Sequence, residues 1–324
     1  KALSYADGSC TFAFQGGEPT LRGLDFFRAF TDIVNKYGAG RRNLHYAIQT
    51  NGLLLNEEWA VFLKENGFLV GLSIDGGSEV HNLNRVDASG AGTHSRVMNS
   101  ARLLARYEVP FNVLTVVTSR AARNITSIYH FYQKNHLLYQ QYIPCLDPIF
   151  EPRGGNSYSL SPESFGDFLI KLFDLWYADR EKGRFLYIHY FENLAGILLG
   201  HPPASCGMMG VCSEQNVIEA DGSVYPCDFY VLDRWRMGDV HTDSLKQLAN
   251  DETASEFLRQ GRLRPSRCAS CRWVPLCNGG CRRDWTGGAD DTENYYCESF
   301  RRFFEYAADR IGEIAWQERR SRMR

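Results

Sequence analysis

Residues 11–20 read TFAFQGGEPT, and the reading of this decapeptide decides the fold. Residues 11–14 alternate a small or polar side chain with a phenylalanine, the period of a β-strand. Gly16 and Gly17 follow Gln15 and accept backbone conformations and close approaches that a Cβ forbids. Glu18 then presents a carboxylate, and Pro19 stops the strand because it has no N–H to give to a ladder. A strand ending in bare backbone and one acid is either an ordinary strand-to-helix turn or the rim of a small-ligand site.

The segments that follow repeat the unit. Strand patterns fall at residues 11–15, 44–50, 68–74, 111–117 and 139–144, with helical patterns at 24–37, 57–65, 94–106 and 125–135 between them. Asn56 and Asn124 stand where N-caps belong, and Ser161-Pro162-Glu163 opens a longer helix over 161–182. Short apolar strands spaced evenly by helices predict an α/β fold with a parallel sheet, curled by right-handed crossovers into a barrel or part of one. In such folds ligands gather at the carboxyl ends of the strands. Those ends read QGGEP, QTNG (49–52), SIDG (73–76), VVTSR (116–120) and YIPCLDP (142–148). Their small polar groups, glycines and isolated acids favour a shared pocket over a series of unrelated turns.

The 324 residues suffice for two domains, and a formal net charge of -2 gives no basis for a nucleic-acid or membrane-surface partner. No apolar run approaches the roughly 18 residues that cross a bilayer. Composition changes near residue 200, which divides a region 1–200 from a region 201–324. Of ten cysteines, Cys10 and Cys145 stand alone and eight lie between Cys206 and Cys297. A long, cysteine-poor α/β region ahead of the cluster favours a reducing, cytoplasmic compartment and thiolate–metal bonds over disulfides.

The eight are spaced Cys206-x5-Cys212-x14-Cys227, then Cys268-x2-Cys271-x5-Cys277-x3-Cys281, then x15 to Cys297. Asp221-Gly222 between alternating β residues predicts a hairpin over 216–229 that delivers Cys227 beside Asp228. Eight thiolates make two sets of four. They suit two [4Fe–4S] clusters best, then two structural zinc sites, then four disulfides. The chain closes on a helix whose apolar stripe is Phe300, Phe303, Phe304, Ala307, Ile311 and Ile314.

The strand ends GGEP, QTNG and SIDG, taken with the cysteine array, resemble the radical S-adenosylmethionine enzymes that carry a SPASM domain. FAFQGGEPT, QYIPCLDP and Cys227-Asp228 narrow the resemblance to the anaerobic sulfatase-maturating enzymes. It implies a partial (β/α)6 barrel of the radical-SAM type followed by an iron–sulfur SPASM domain. It also implies radical oxidation of a cysteine or serine in a sulfatase polypeptide to Cα-formylglycine, with S-adenosylmethionine and [4Fe–4S] clusters as cofactors. A flavodoxin- or ferredoxin-type electron donor is implied as well. Carried over residue by residue, Gly16, Gly17 and Glu18 lie along the methionyl amino group. Asn51 lines the same mouth, Ser73 hydrogen-bonds the cofactor and Leu146 packs on its adenine. Gln15 meets the substrate peptide. The resemblance assigns Cys206, Cys212, Cys227 and Cys281 to an inner cluster and Cys268, Cys271, Cys277 and Cys297 to an outer one, with Asp228 as the general base. Alternatives are another SPASM peptide maturase, such as a thioether-forming one, and a non-enzymatic zinc or iron–sulfur binding module.

One part of the pattern is missing. The family's Cys-x3-Cys-x2-Cys, which holds the cluster that cleaves S-adenosylmethionine, does not occur in the sequence, and Cys10 stands before the Gly-Gly-Glu-Pro strand rather than on the expected loop. With Lys1 in place of an initiator methionine, this predicts a fragment lacking the first barrel strand and inactive in radical initiation by itself.

Overall fold

Each apolar run of the first half is separated from the next by a helix that returns the chain to the same end of the sheet, so the runs pair parallel and in chain order. The computed structural model describes residues 1–38, 43–287 and 292–322. Its main sheet has six strands in sequence order: β1 (Cys10–Phe14), β2 (Leu44–Thr50), β3 (Phe68–Ser73), β4 (Phe111–Val117), β5 (Tyr139–Pro144) and β6 (Tyr187–Ile188). All pairs are parallel, from Phe14 opposite Ile48 to Gln140 opposite Ile188. The strand at Tyr187–Ile188 was not among the five expected, because two paired residues carry no readable period.

Between the strands run α1 (Leu24–Tyr37), α2 (Glu57–Glu65), α3 (His94–Arg106), α4 (Ile125–Lys134) and α5 (Pro162–Glu181). Asn56 caps α2 as expected, its Oδ1 accepting from Trp59 N at 3.0 Å, and Ser161 Oγ accepts from Ser164 N at 3.2 Å to start α5. Asn124 departs from expectation. Its side chain makes no cap bond and instead donates to Arg120 O at 2.8 Å. A short helix over Ser119–Arg123 runs directly into α4, and Asn124 closes it, its own N–H donating to Arg120 O and Ala121 O.

The helices cover the sheet through large side chains. Phe27, Tyr132, Phe173 and Trp176 of the helices, and Phe68 of β3, are each 2% exposed or less, and burial of one such side chain contributes about 1.5–3 kcal/mol. Trp176 Nε1 donates to Leu186 O at 3.0 Å, and Asp179 accepts from Tyr129 Oη at 2.8 Å. These bonds join α4, α5 and the approach to β6.

The chain divides into two compact units. One holds Ala6–Ser164 and Phe168–Tyr190; the other holds Phe191–Arg324 with Lys1–Tyr5 and Phe165–Asp167. In the second unit β7 (Val217–Ile218) and β8 (Ser223–Tyr225) form the Asp-Gly hairpin, with Asp221 Oδ1 accepting from Ser223 N at 2.9 Å. A third strand, β9 (Gly238–Asp239), pairs with β8. Here α6 (Leu245–Ala249) starts in a capping box between Ser244 and Gln247, and α7 (Glu252–Gln260) follows it. One buried apolar cluster here is Val224, Met237, Leu245, Leu248 and Ala254. The closing helix α8 (Cys297–Arg322) buries Phe303, Phe304, Ala307, Ile311 and Ile314 to within 1% of full burial, with Phe300 partly covered. Among the described residues no helix is long and apolar enough to cross a membrane.

Candidate functional site

Parallel register places the carboxyl ends of β1 to β5 along one edge of the sheet. At the end of β1, Gly16 and Gly17 take φ of +83° and +52°, and a Cβ on either would meet nothing within 4 Å. Conformation alone therefore requires glycine here, and the turn leaves open space over its backbone. Gln15, Gly16 and Gly17 are exposed.

Glu18 does more than face that space. Its Oε1 accepts from Thr20 N (3.0 Å), Thr20 Oγ1 (2.6 Å) and Thr50 Oγ1 (2.7 Å), while Oε2 accepts from Asn51 N at 2.7 Å. The carboxylate thus fastens the end of β1 to the end of β2. Oε2 keeps a lone pair, since each carboxylate oxygen accepts about two bonds. Asn51 is held in turn, its Oδ1 accepting from Leu53 N at 2.9 Å. Gly16, Gly17, Glu18 and Asn51 are accordingly brought together.

A second acid fastens the next pair of strands. Asp75, 6% exposed, accepts from Val116 N at 2.8 Å and from Arg85 Nε at 2.5 Å, so it ties the end of β3 to β4 and carries its own counter-charge. Tyr132 Oη donates to Ile74 O at 2.6 Å and receives Gly76 N at 2.9 Å. His81 Nδ1 accepts from Asp75 N at 3.2 Å, which leaves the proton on Nε2 facing Thr93 Oγ1 at 3.1 Å. Burial, opposed by the Asp75 charge, pulls His81 down to about 4 and keeps it neutral. Ser73 is the last residue of β3, half-buried beside this network.

Leu146 lies two residues past β5, between Cys145, whose N–H donates to Val117 O at 3.1 Å, and Asp147, 3% exposed. Burial, then the Asp147 and Asp75 charges, push the Cys145 thiol up to about 11, so it stays protonated. Cys10 is the first residue of β1. Sequence reasoning missed Thr50, Asp75, Arg85, Thr115 and Tyr132 as supports of this edge. Thr50 and Asp75 sit inside the strand ends already singled out, but nothing in the sequence pairs Asp75 with Arg85.

In the second unit the eight cysteines are all free thiols. The groups whose charge each thiol feels sort them into two sets. Cys212 faces Cys206, Cys281 faces Cys206 and Cys212, and Cys227 faces Cys281. Cys277 faces Cys268, Cys297 and Cys271. Cys281 thus neighbours Cys206 and Cys212, and Cys277 neighbours Cys268, Cys271 and Cys297. Cys268, Cys271, Cys277 and Cys297 line one cavity of about 360 Å³ walled by Trp273, Phe300 and Phe304. Cys297 opens α8, where the helix dipole favours a thiolate.

Burial pushes Cys277 and Cys281 up to about 12 and Cys227 further. Buried thiols become thiolates only beside positive charge, which a metal centre supplies. Among the described residues no three His, Cys, Asp or Glu side chains stand close enough for one metal ion. Two sets of four cysteines with no histidine among them are donor sets that fit [4Fe–4S] clusters. Asp228 follows Cys227 at a 3₁₀ turn, and Cys227 Sγ donates to its Oδ1 at 3.4 Å.

Comparison with known proteins agrees with both halves. The radical SAM superfamily matches residues 2–120, and the SPASM iron–sulfur cluster-binding domain matches 206–272. A cysteine-type anaerobic sulfatase-maturating enzyme of Clostridium novyi is 46% identical over 97% of this chain and 85% of its own length. A serine-type enzyme of Bacteroides thetaiotaomicron is 30% identical over 92% of this chain and 75% of its own. The solved structure of native anSMEcpe with bound AdoMet and Cp18Cys peptide superposes with a TM-score of 0.94 at 46% identity, covering 97% of this chain and 88% of that one. With its six-stranded parallel sheet and eight-thiol region, the chain belongs to the anaerobic sulfatase-maturating enzymes, radical SAM proteins with a SPASM domain.

Proposed function

We propose that this protein acts on a cysteine of a sulfatase polypeptide, converting it to Cα-formylglycine in a reducing cytoplasm with a flavodoxin- or ferredoxin-type donor. The higher identity to cysteine-type than to serine-type relatives supports cysteine as the target. The observation that carries the chemistry is Asp228, a carboxylate 3.4 Å from the thiol of Cys227.

When bound, S-adenosylmethionine and the iron–sulfur clusters supply the radical that removes a hydrogen atom and the sink that takes an electron. The chain's own residues position and deprotonate. The carbonyls of Gly16 and Gly17, with the remaining lone pair of Glu18 Oε2, suit the ammonium of the cofactor's methionyl end. Asn51 and Ser73 offer polar contacts along the same edge, Leu146 offers an apolar face for adenine, and Gln15 is exposed to meet the peptide. Cys206, Cys212, Cys227 and Cys281 hold the inner cluster; Cys268, Cys271, Cys277 and Cys297 hold the outer one. Asp228 takes the substrate proton on a carboxylate oxygen. A cysteine that loses a hydrogen atom, a proton and an electron becomes a thioaldehyde, which water converts to the aldehyde with release of hydrogen sulfide.

Asp228→Asn in the full-length enzyme tests the base. Formylglycine in a sulfatase peptide, read by mass spectrometry, should fall about 10²- to 10⁴-fold while 5′-deoxyadenosine continues to form. Undiminished formylglycine would remove Asp228 from this role.

A further inference from the structure

The inner quartet is flanked by groups of both signs. Asp228 faces Cys206 and Cys227, and Asp284 faces Cys281. On the Cys212 side stands Arg282, next in sequence to the ligand Cys281 and held with unusual definition. Its guanidinium carbon lies 5.1 Å from the ring centre of Tyr230, 5.3 Å from that of Trp235 and 5.2 Å from that of Phe257. These rings are 8%, 3% and 0% exposed and pack edge to face against one another. Nη1 donates to Phe257 O at 3.4 Å and Nη2 donates to Gln260 Oε1. Both acceptors belong to the last turn of α7.

Cys212 docks on the same turn. Its N–H donates to Gly261 O at 3.3 Å, and a Cβ on Gly261 would stand 2.6 Å from Cys212 Sγ, so the close approach depends on that glycine. The C-terminal end of a helix carries partial negative charge. Here that end abuts a cluster ligand, where it would oppose any further negative charge. A cation that caps a carbonyl of the same turn, as Arg282 does at Phe257 O, cancels this effect and adds a positive field of its own. Its aromatic surroundings keep it poorly screened, which lengthens the reach of that field.

We propose that Arg282 is a positioning residue that raises the reduction potential of the cluster held by Cys206, Cys212, Cys227 and Cys281, and so keeps that cluster ready to accept the electron the substrate gives up. The inference rests on that quartet holding a cluster. The electron balance is simple. The substrate residue loses a hydrogen atom to the radical, a proton to the base and one electron to the cluster, a two-electron oxidation overall. The cluster is reduced by one electron, adding negative charge to a group its four thiolates already make anionic. Arg282 offsets that added charge.

The test is a redox titration of the iron-reconstituted, full-length enzyme followed by electron paramagnetic resonance, with dithionite as reductant. Loss of one signal and its iron in Cys212→Ala assigns the inner cluster; retention of all iron and all signals in that variant would overturn the quartet reading itself. With the signal assigned, Arg282→Gln should move its midpoint to more negative potential and leave the other clusters unmoved, while Arg282→Lys recovers part of the shift. An unchanged midpoint in Arg282→Gln with iron retained would overturn the proposal and leave Arg282 only a cap for α7. Should Arg282→Gln lose its iron, Gln260→Leu decides: freeing one side of the guanidinium should give a smaller negative shift, and no shift would count against the proposal.

Discussion

The two units build their sites in opposite ways. At the strand edge, acids and donors satisfy one another: Glu18 binds Thr20, Thr50 and Asn51, and Asp75 binds Arg85 and Val116. In the cysteine-rich unit thiols neighbour one another, and burial alone would keep Cys277 and Cys281 protonated. The strand edge of the first unit is held in place by its own hydrogen bonds. In the second, the proposed ligand sets would make a bound cluster part of the fold. A cofactor that meets preformed partners adds affinity, whereas one that replaces missing charge and missing core adds stability.

Stripping iron with a chelator under argon should give the largest separation between them. Residues 206–297 should become open to limited proteolysis and lose their cooperative thermal transition, while the six-stranded unit keeps its own. A single shared transition that iron removal leaves in place would break the contrast.

The next effect belongs to the strand edge. His81, fully buried, has its folded pKa lowered to about 4 by burial first, against the raising charge of Asp75 and the lowering charges of Arg85 and His94. Between about pH 6.5 and 4 the unfolded chain binds the extra proton, so stability is complete above that window and lost as pH falls through it, by up to about 3 kcal/mol. Denaturant melts across that range should show this slope in the wild type and a flatter one in His81→Asn.

Glu18→Gln sharpens the same point at smaller scale. An amide presents an N–H where the carboxylate now accepts, so the β1–β2 fastening should weaken by about 2 kcal/mol. S-adenosylmethionine affinity, measured by calorimetry, should fall with it by about tenfold or more. The smallest effect distinguishes the two asparagines: Asn56→Ala should cost about 1 kcal/mol as a lost cap, and Asn124→Ala close to nothing in the same melt.

Those asparagines also mark how far the sequence could be read. Both precede apolar helical patterns, and only the neighbouring short helix, which takes up the Asn124 side chain at Arg120 O, tells them apart. The sheet was legible because helix and strand periods alternate cleanly over the first 150 or so residues. The strand Tyr187–Ile188 was not, since two residues have no period. At the site, glycine and acid at the strand ends were visible as types, yet their partners were not. Arg85 lies ten positions beyond Asp75 in a stretch with no motif, and the turn between them brings the charges together.

By itself, the sequence determined the parallel α/β sheet, the eight-thiol region, and the chemistry available at each strand end. These follow from local spacing and residue type, which act over a few neighbours. Tertiary structure alone decided which groups meet: Glu18 with Asn51, Asp75 with Val116, Cys281 with Cys206 and Cys212, and Arg282 with the last turn of α7. Such pairings join residues far apart in the chain, and chain folding, unlike spacing, fixes distances across it.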